Sequence, residues 1–376
     1  MQNPVPQLSP LSLTPMTTFT DFTFNYPSVA AEAIALTESF ATLNDIPALL
    51  PFPPIKGNAE VLTAGANWLK LPSGIYPQVA DIVLCTSGNQ ALSSILHVLR
   101  SHHTTIITEP FTFTGFIAIA RQKDYHLEPG EFDQHGLTVA GLEKAMHRTQ
   151  SKVVYLQPTI HNPTCVVMPL ERRQAIARFA KDKGMLLIED DAYRFLCPDA
   201  PPSFLDLLPE QTIHIASLSK PFNPSLKTTY LVTPVAWINP LIEAIRFTSS
   251  GNSSLLSHLA TSILTSGVLD KIVVQKQMVA RDLQERAKKI LGDLPYQTYP
   301  TSFHLWIQLP ETVKSTDLVT LAAQQQISIP SGVSFSVNNP GQGERFVRLA
   351  LAAEKDIRKL EAGLSKIATL CRNASR

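Results

Sequence analysis

Between residues 81 and 193 the chain repeats one pattern four times: a short unbroken apolar run, a polar break with Gly or Pro, then helical periodicity or a loop. The runs cover 82–85, 104–108, 153–157 and 185–188, and a fifth follows at 213–216. Helices are expected from Asn89, from about Gly115, and from Glu171 to Lys183. Strands that are apolar at every position, rather than at alternate ones, are buried on both faces. Their alternation with helices predicts an α/β fold, with a large domain whose mostly parallel sheet is covered by helices on both sides.

In such sheets ligands bind outside the carboxyl ends of the strands. Residues with chemical capacity collect at five of those ends: Gly88 and Asn89, Phe113, Asn162, Asp190 and Tyr193, and Ser217 with Lys220. Lys220 says most. An amine just past a buried strand is desolvated, desolvation lowers its pKa, and the neutral amine is a nucleophile for aldehydes. Ser217 and Ser219 beside it offer hydroxyls to an anion. The reading is pyridoxal 5′-phosphate carried on Lys220 as a Schiff base. Taken singly, the other residues have ordinary readings: Asn162 is a turn residue before Pro163, Phe113 a core residue, Asp190 a cap or surface acid, and Gly88 part of a strand-to-helix turn.

The rest of the chain divides by composition. Residues 1–20 are rich in Pro, Ser and Thr and read as a flexible arm; 21–50, with a helix over 30–43, as an N-terminal segment packing with the small domain; 51–245 as the large domain; and 246–376 as a smaller α+β C-terminal domain. A helix is also expected over 60–71 and a long one over 269–291. Strands are expected over 302–310 and 345–352, and a final surface helix over 354–370. The net charge of +1 in 376 residues gives no field for nucleic acid or an anionic membrane. No apolar run approaches a membrane span, and the N-terminus lacks the pattern of a signal peptide. Four cysteines without a C-x-x-C read as reduced thiols in a cytoplasmic protein. No metal site is expected, since His102 and His103 have no ligand at suitable spacing.

Four motifs in order carry a resemblance: HNPT at Asn162–Pro163–Thr164 with Arg172 and Arg173 beyond it, IEDDAYRFL around Asp190 and Tyr193, SLSK at Lys220 followed by NPSLK, and SFHLW at Trp306. Together they resemble the fold-type I, class I/II pyridoxal-phosphate aminotransferases, and within them the aminotransferase-like domain of MocR regulators and the 2-aminoadipate/kynurenine aminotransferases. The resemblance implies catalytic roles for Lys220, Asp190 and Tyr193. Asp190 pairs with the pyridine nitrogen; Tyr193 and Asn162 donate to the ring's phenolic oxygen; Phe113 stacks on the ring. The phosphate lies by Gly88, Asn89 and Gln90 at a helix N-terminus, with Ser217, Ser219 and Lys227 around it. Arg348 and Asn162 bind the substrate, Arg348 clamping its α-carboxylate or, on residue type alone, pairing a structural acid. A homodimer with shared active sites is implied, and amino acids and 2-oxo acids as substrates. Other reactions of the same cofactor (lyase, decarboxylase, oxidase) and a non-catalytic binding protein are alternatives on the same scaffold.

Several positions depart from the family pattern. Cys165 and Thr229 stand where glycines are usual, Pro224-Ser225-Leu226-Lys227 replaces Pro-Gly-Leu-Arg, and Phe52 and Thr63 replace a partner-supplied tyrosine and an arginine. MocR regulators carry a DNA-binding domain; no helix-turn-helix fits in the arm before Asp21, so direct DNA binding is not expected. His304 and Trp306 read as pocket lining or core, with core favoured, and Arg246 as a weak candidate for an acidic substrate side chain.

Overall fold

The computed structural model describes residues 19–69, 74 and 77–373. Apart from Phe19 and Thr20, the arm expected over 1–20 lies outside the described residues, as do the last two residues of the helix expected over 60–71.

The apolar runs form a seven-stranded sheet, in the order Ile82–Cys85, Thr229–Val232, Thr212–Ser217, Leu186–Asp190, Val153–Leu156, Thr105–Thr108 and His126–Pro129. Only Thr229–Val232 runs against its neighbours; the other pairings are parallel. Successive side chains of a strand point to opposite faces, so a continuous apolar run must be covered twice. Val153 and Tyr155 pack with the helices Gly88–Leu99, Thr114–Gln122 and Val235–Ser249. Val154 and Leu156 pack with Val139–Thr149, Leu170–Lys183 and Phe204–Leu207 on the other side. A third cluster joins Leu84 and Tyr230 to the helices Ala59–Trp68 and Ser254–Thr265.

Local chemistry sets the helix ends. Ser87 Oγ accepts the Gln90 amide at 3.1 Å to start Gly88–Leu99, and Gly184, at φ +62°, closes Leu170–Lys183 with a left-handed turn that glycine adopts without strain.

The smaller layer is an antiparallel sheet of Tyr296–Gln297, His304–Gln308 and Phe346–Ala350. Leu283 and Ala287 of Val268–Leu291 and Leu360 and Leu364 of Ile357–Asn373 pack on it. The N-terminal segment is stitched into this layer. Thr20–Asp21 pairs with Ile327–Ser328, and Phe22 lies in the same core.

One expectation needs correction. The boundary at 245/246 falls inside the helix Val235–Ser249, and Ser254–Thr265 packs against Ala59–Trp68 rather than on the small sheet. The helix Ser254–Thr265 forms despite its hydroxyl-rich sequence, because its apolar positions Leu259, Ala260 and Ile263 fall on one buried face. Thr229 begins the one antiparallel strand of the large sheet, a strand the pattern did not mark. The strand His126–Pro129 and the helix Val139–Thr149 were also absent from the pattern.

Gly65 sets the distance between Ala59–Trp68 and the sheet. A Cβ there would overlap the ring of Tyr230, which is fully buried. Gly65→Ala is expected to destabilise the fold by about 1–3 kcal/mol through overpacking, seen as a lowered calorimetric melting temperature.

Candidate active site

Five strand ends and the N-terminal segment enclose one cavity of about 240 Å³. On one part of its wall Thr86, Ser87, Gly88 and Asn89 form the start of a helix. A Cβ at Gly88 would meet nothing within 4 Å, so space lies open over this first turn, whose N–H groups have no partner inside the helix. Ser217, Ser219 and Lys227 face the same space. Ser217 Oγ donates to Ser219 Oγ at 2.9 Å and accepts from Thr229 Oγ1 at 2.8 Å. These groups make a polar cup for an anion. Gln90 does not line the cavity. Its Oε1 accepts from the Thr86 amide at 2.7 Å and its Nε2 donates to the Ser249 hydroxyl, so its side chain holds the helix start in place.

Asp190 ends the strand Leu186–Asp190, and its carboxylate is aimed by two donors. Tyr155 Oη donates to Oδ2 at 2.8 Å and Gln157 Nε2 at 3.1 Å. Burial raises its pKa, and these two hydrogen bonds oppose the rise. Behind it a second acid is neutralised. Glu189 accepts from the amides of Phe204 and Leu205 at 3.0 and 3.1 Å and pairs with His214 Nδ1 at 2.9 Å. Asp191 lies 4.0 Å from His214 Nε2, and Arg194 lies 3.5 Å from Asp191. Both Glu189 oxygens are engaged, and the Arg194 guanidinium lies alongside Asp191.

Lys220 Nζ donates to the Asn25 carbonyl at 2.6 Å and sits 3.7 Å above the ring of Tyr26. Burial lowers its pKa to about 7, with the charges of Arg348 and Lys276 adding and Asp190 opposing. The loop after it is fixed by Lys276, which is fully buried, donates to the Lys220 carbonyl at 2.8 Å and pairs with Glu32 at 2.9 Å. Tyr193 lines the cavity, and burial pushes its hydroxyl up to about 12. Asn162 lines it too and accepts from Arg348 Nη1 at 3.1 Å. Arg348 is buried, and its other terminal nitrogen donates to the Thr23 carbonyl. Phe113 completes the wall, its ring folded over Gly115, where any Cβ would overlap it.

All the expected site residues except Gln90 therefore gather at or beside one cavity. Arg348 stands one residue behind the wall, at Asn162. His304 and Trp306 are core, and Arg246 is exposed and pairs with Glu243 at 3.4 Å. The motif arginines are structural. Arg172 pairs with Asp133 at 2.8 Å, and buried Arg173 donates to the carbonyls of Met168 and Pro158 at 2.9 and 2.8 Å. Sequence reasoning missed Asn25, Tyr26, Tyr155 and Gln157. Tyr155 and Gln157 were findable, since one lies in a strand beside Asp190 and the other just past its end. The two N-terminal residues gave no signal. An amine that is neutral near pH 7, an aimed buried acid, an aromatic wall and an anion cup around one space fit a flat, phosphorylated ring bearing an aldehyde.

Comparisons with known proteins agree with this geometry. A family model described as aminotransferase class I and II matches residues 19–367. The 2-aminoadipate transaminase of Thermus thermophilus is 24% identical over 81% of this chain and 77% of its own length. An uncharacterized HTH-type transcriptional regulator of Bacillus subtilis, YdeF, is 26% identical over 77% of this chain. The chain spans 63% of that regulator's length, just under two thirds. The fold of a Pyrococcus horikoshii kynurenine aminotransferase superposes with a TM-score of 0.88 at 18% identity, covering 96% of this chain and 92% of that one.

The burial of Lys220 generates a direct test. In cofactor-free protein its amine should react with trinitrobenzenesulfonate half-maximally near pH 7, about three units below an exposed lysine. Titration of the mapped Lys220 peptide near pH 10 would refute the desolvated site.

Proposed function

Because the chain belongs to the aminotransferase class I and II family, we propose that it moves an amino group between an α-amino acid and a 2-oxo acid, with pyridoxal phosphate held on Lys220. The observation that carries this reading is the Lys220 amine, with a pKa near 7, sharing one cavity with the buried, doubly hydrogen-bonded Asp190. When bound, the cofactor supplies an aldehyde for amines and a ring that takes up the electrons of the bond broken at the substrate Cα.

The chain's own residues do the rest. Asp190 keeps the pyridine nitrogen protonated, and its second-layer donors, Tyr155 and Gln157, keep the carboxylate ionised and aimed. Tyr193 and Asn162, which line the cavity, would donate to the ring's oxygen, and Phe113 would pack against the ring. The Gly88 and Asn89 amides, Ser217, Ser219 and Lys227 take the phosphate. With the cofactor bound, Lys220 Nζ would take the proton from the substrate Cα and deliver it to the cofactor's former aldehyde carbon. Arg348 reads the α-carboxylate beside Asn162, a role that requires the Thr23 carbonyl to give way.

The same reading includes a homodimer. Leu50, Phe52 and Phe247 are 78%, 72% and 84% exposed, and Pro54 and Ile55 pack beside Gly251, so one apolar surface gathers near the end of the helix Val235–Ser249. A partner copy covering it would bring Phe52 towards the site. Four buried free cysteines suit a cytoplasmic setting, and no described helix is long and apolar enough to cross a membrane.

Added pyridoxal phosphate should give a visible absorbance band that amino acids bleach, and borohydride should trap the cofactor on Lys220 and on no other lysine. A band that never forms, or a label mapped elsewhere, overturns the assignment. Gly115→Ala should push the Phe113 ring into the cavity and weaken cofactor binding by about tenfold, read from the same band in a titration.

A further inference from the structure

Asn25 lies where three parts of the molecule meet. It belongs to the N-terminal segment, Tyr193 to the large domain and His304 to the small sheet, and all three are buried. The Asn25 amide nitrogen is 3.1 Å from Tyr193 Oη and 3.1 Å from His304 Nδ1. Chemistry fixes the direction of both bonds. Burial first, then the charge of Arg348, drive the His304 pKa down to about 3, so the ring is neutral. Its Nε2 lies 3.2 Å from the His161 carbonyl, which only accepts, so Nε2 carries the proton and Nδ1 is an acceptor. Asn25 must then present its NH2 group, not its oxygen, to His304. One amide hydrogen goes to His304 and the other to Tyr193. Its Oδ1 is buried and takes no hydrogen bond from a described protein group.

From this arrangement we propose that Asn25 is a positioning residue for the reaction, acting through Tyr193. A phenol oxygen that accepts from Asn25 has its own hydrogen left for the cavity that Tyr193 lines, where the cofactor ring's oxygen would sit. Accepting also makes the phenol a stronger donor, and the Asn25 bond opposes the rise that burial imposes on the Tyr193 pKa. The inference rests on the reading of Lys220 and Tyr193 given above. It adds that the phenol is tuned by a residue from the N-terminal segment, held in turn by the small domain. Donor strength at Tyr193 thus depends on both layers being together.

The test uses the protein loaded with pyridoxal phosphate and the pH titration of its visible band, which reports the pKa of the Lys220 nitrogen. The ring oxygen is most negative once that nitrogen has lost its proton, so weaker donation from Tyr193 must raise this pKa. The charged and titratable groups facing the nitrogen (Arg348, Asp190, Lys276, Tyr26 and Tyr193) are unchanged in an Asn25 variant. Asn25→Ala should raise the titration by about half a unit to one unit and lower kcat by about tenfold with KM little changed. Asn25→Asp keeps the side chain's size and is the safeguard against misfolding; facing two acceptors and adding negative charge near Lys220, it should raise the pKa further. In a Tyr193→Phe background the Asn25→Ala increment should vanish. An unshifted titration in both Asn25 variants, or an equal increment without the Tyr193 hydroxyl, overturns the proposal. Failure of the unmodified protein to form the band at all would instead overturn the Lys220 assignment.

Discussion

An amine held out of water beside two other cations is an unstable arrangement, and much of this structure exists to sustain it. Lys220 is flanked by the charges of Arg348 and Lys276. Each of the three is tied to backbone oxygens: Lys220 to Asn25, Arg348 to Thr23, and Lys276 to Lys220 and Phe222. Carbonyls stabilise buried donors without adding a second full charge; Glu32 pairs with Lys276, and the charge of Asp190 only partly offsets the lowering at Lys220. The result is a lysine whose proton is held loosely, which is what a nucleophile for aldehydes requires. The N-terminal segment supplies two of those carbonyls. Its strand pairing at Thr20–Asp21 and the burial of Phe22 are therefore part of the chemistry of a residue about two hundred positions away.

The sheet and the residues at its edge were legible because their signals are local. Continuous apolar runs marked five of the seven strands, and the residues just past them became the cavity wall. What escaped notice was non-local or compositionally disguised. Thr229–Val232 was not among the expected strands, yet the register of Thr229 against Ser217 places it in the sheet and its hydroxyl on Ser217. Val235–Ser249 carries Pro240 inside it, and Ser254–Thr265 is rich in hydroxyls; both are helices because packing overrides propensity. Gln90 was credited by proximity to Gly88, but one residue along a helix turns a side chain by about 100°. Asn25 carries no mark in the sequence, since its importance comes entirely from what chain topology lays against it.

The departures from the family pattern also acquire reasons. Cys165 has φ +62° and Lys227 φ +48°, a region where glycine is at ease and other residues cost about 1 kcal/mol. At Cys165 the thiol is buried and lies 3.2 Å from the His304 carbonyl, so the side chain contributes packing that glycine would lack. Asn252 donates to the carbonyls of Cys85 at 3.0 Å and Lys227 at 3.4 Å, pinning the left-handed turn from outside. The clamp keeps the turn geometry of the cup where lysine stands in the arginine position, and Lys227 still faces the cavity.

The carbonyls of Thr23 and Asn25 make the N-terminal segment an internal competitor. They occupy Arg348 and Lys220 in the absence of any ligand, and because they are part of the same chain their effective concentration is set by tethering and not by supply. Whatever binds at those two side chains must displace them, and its apparent affinity is discounted by the fraction of molecules in which the segment has stepped aside. A neutral ligand recovers little of that cost at Arg348, whereas a carboxylate that takes the place of the Thr23 carbonyl recovers it through a charged pair, so the segment favours anionic ligands over neutral ones.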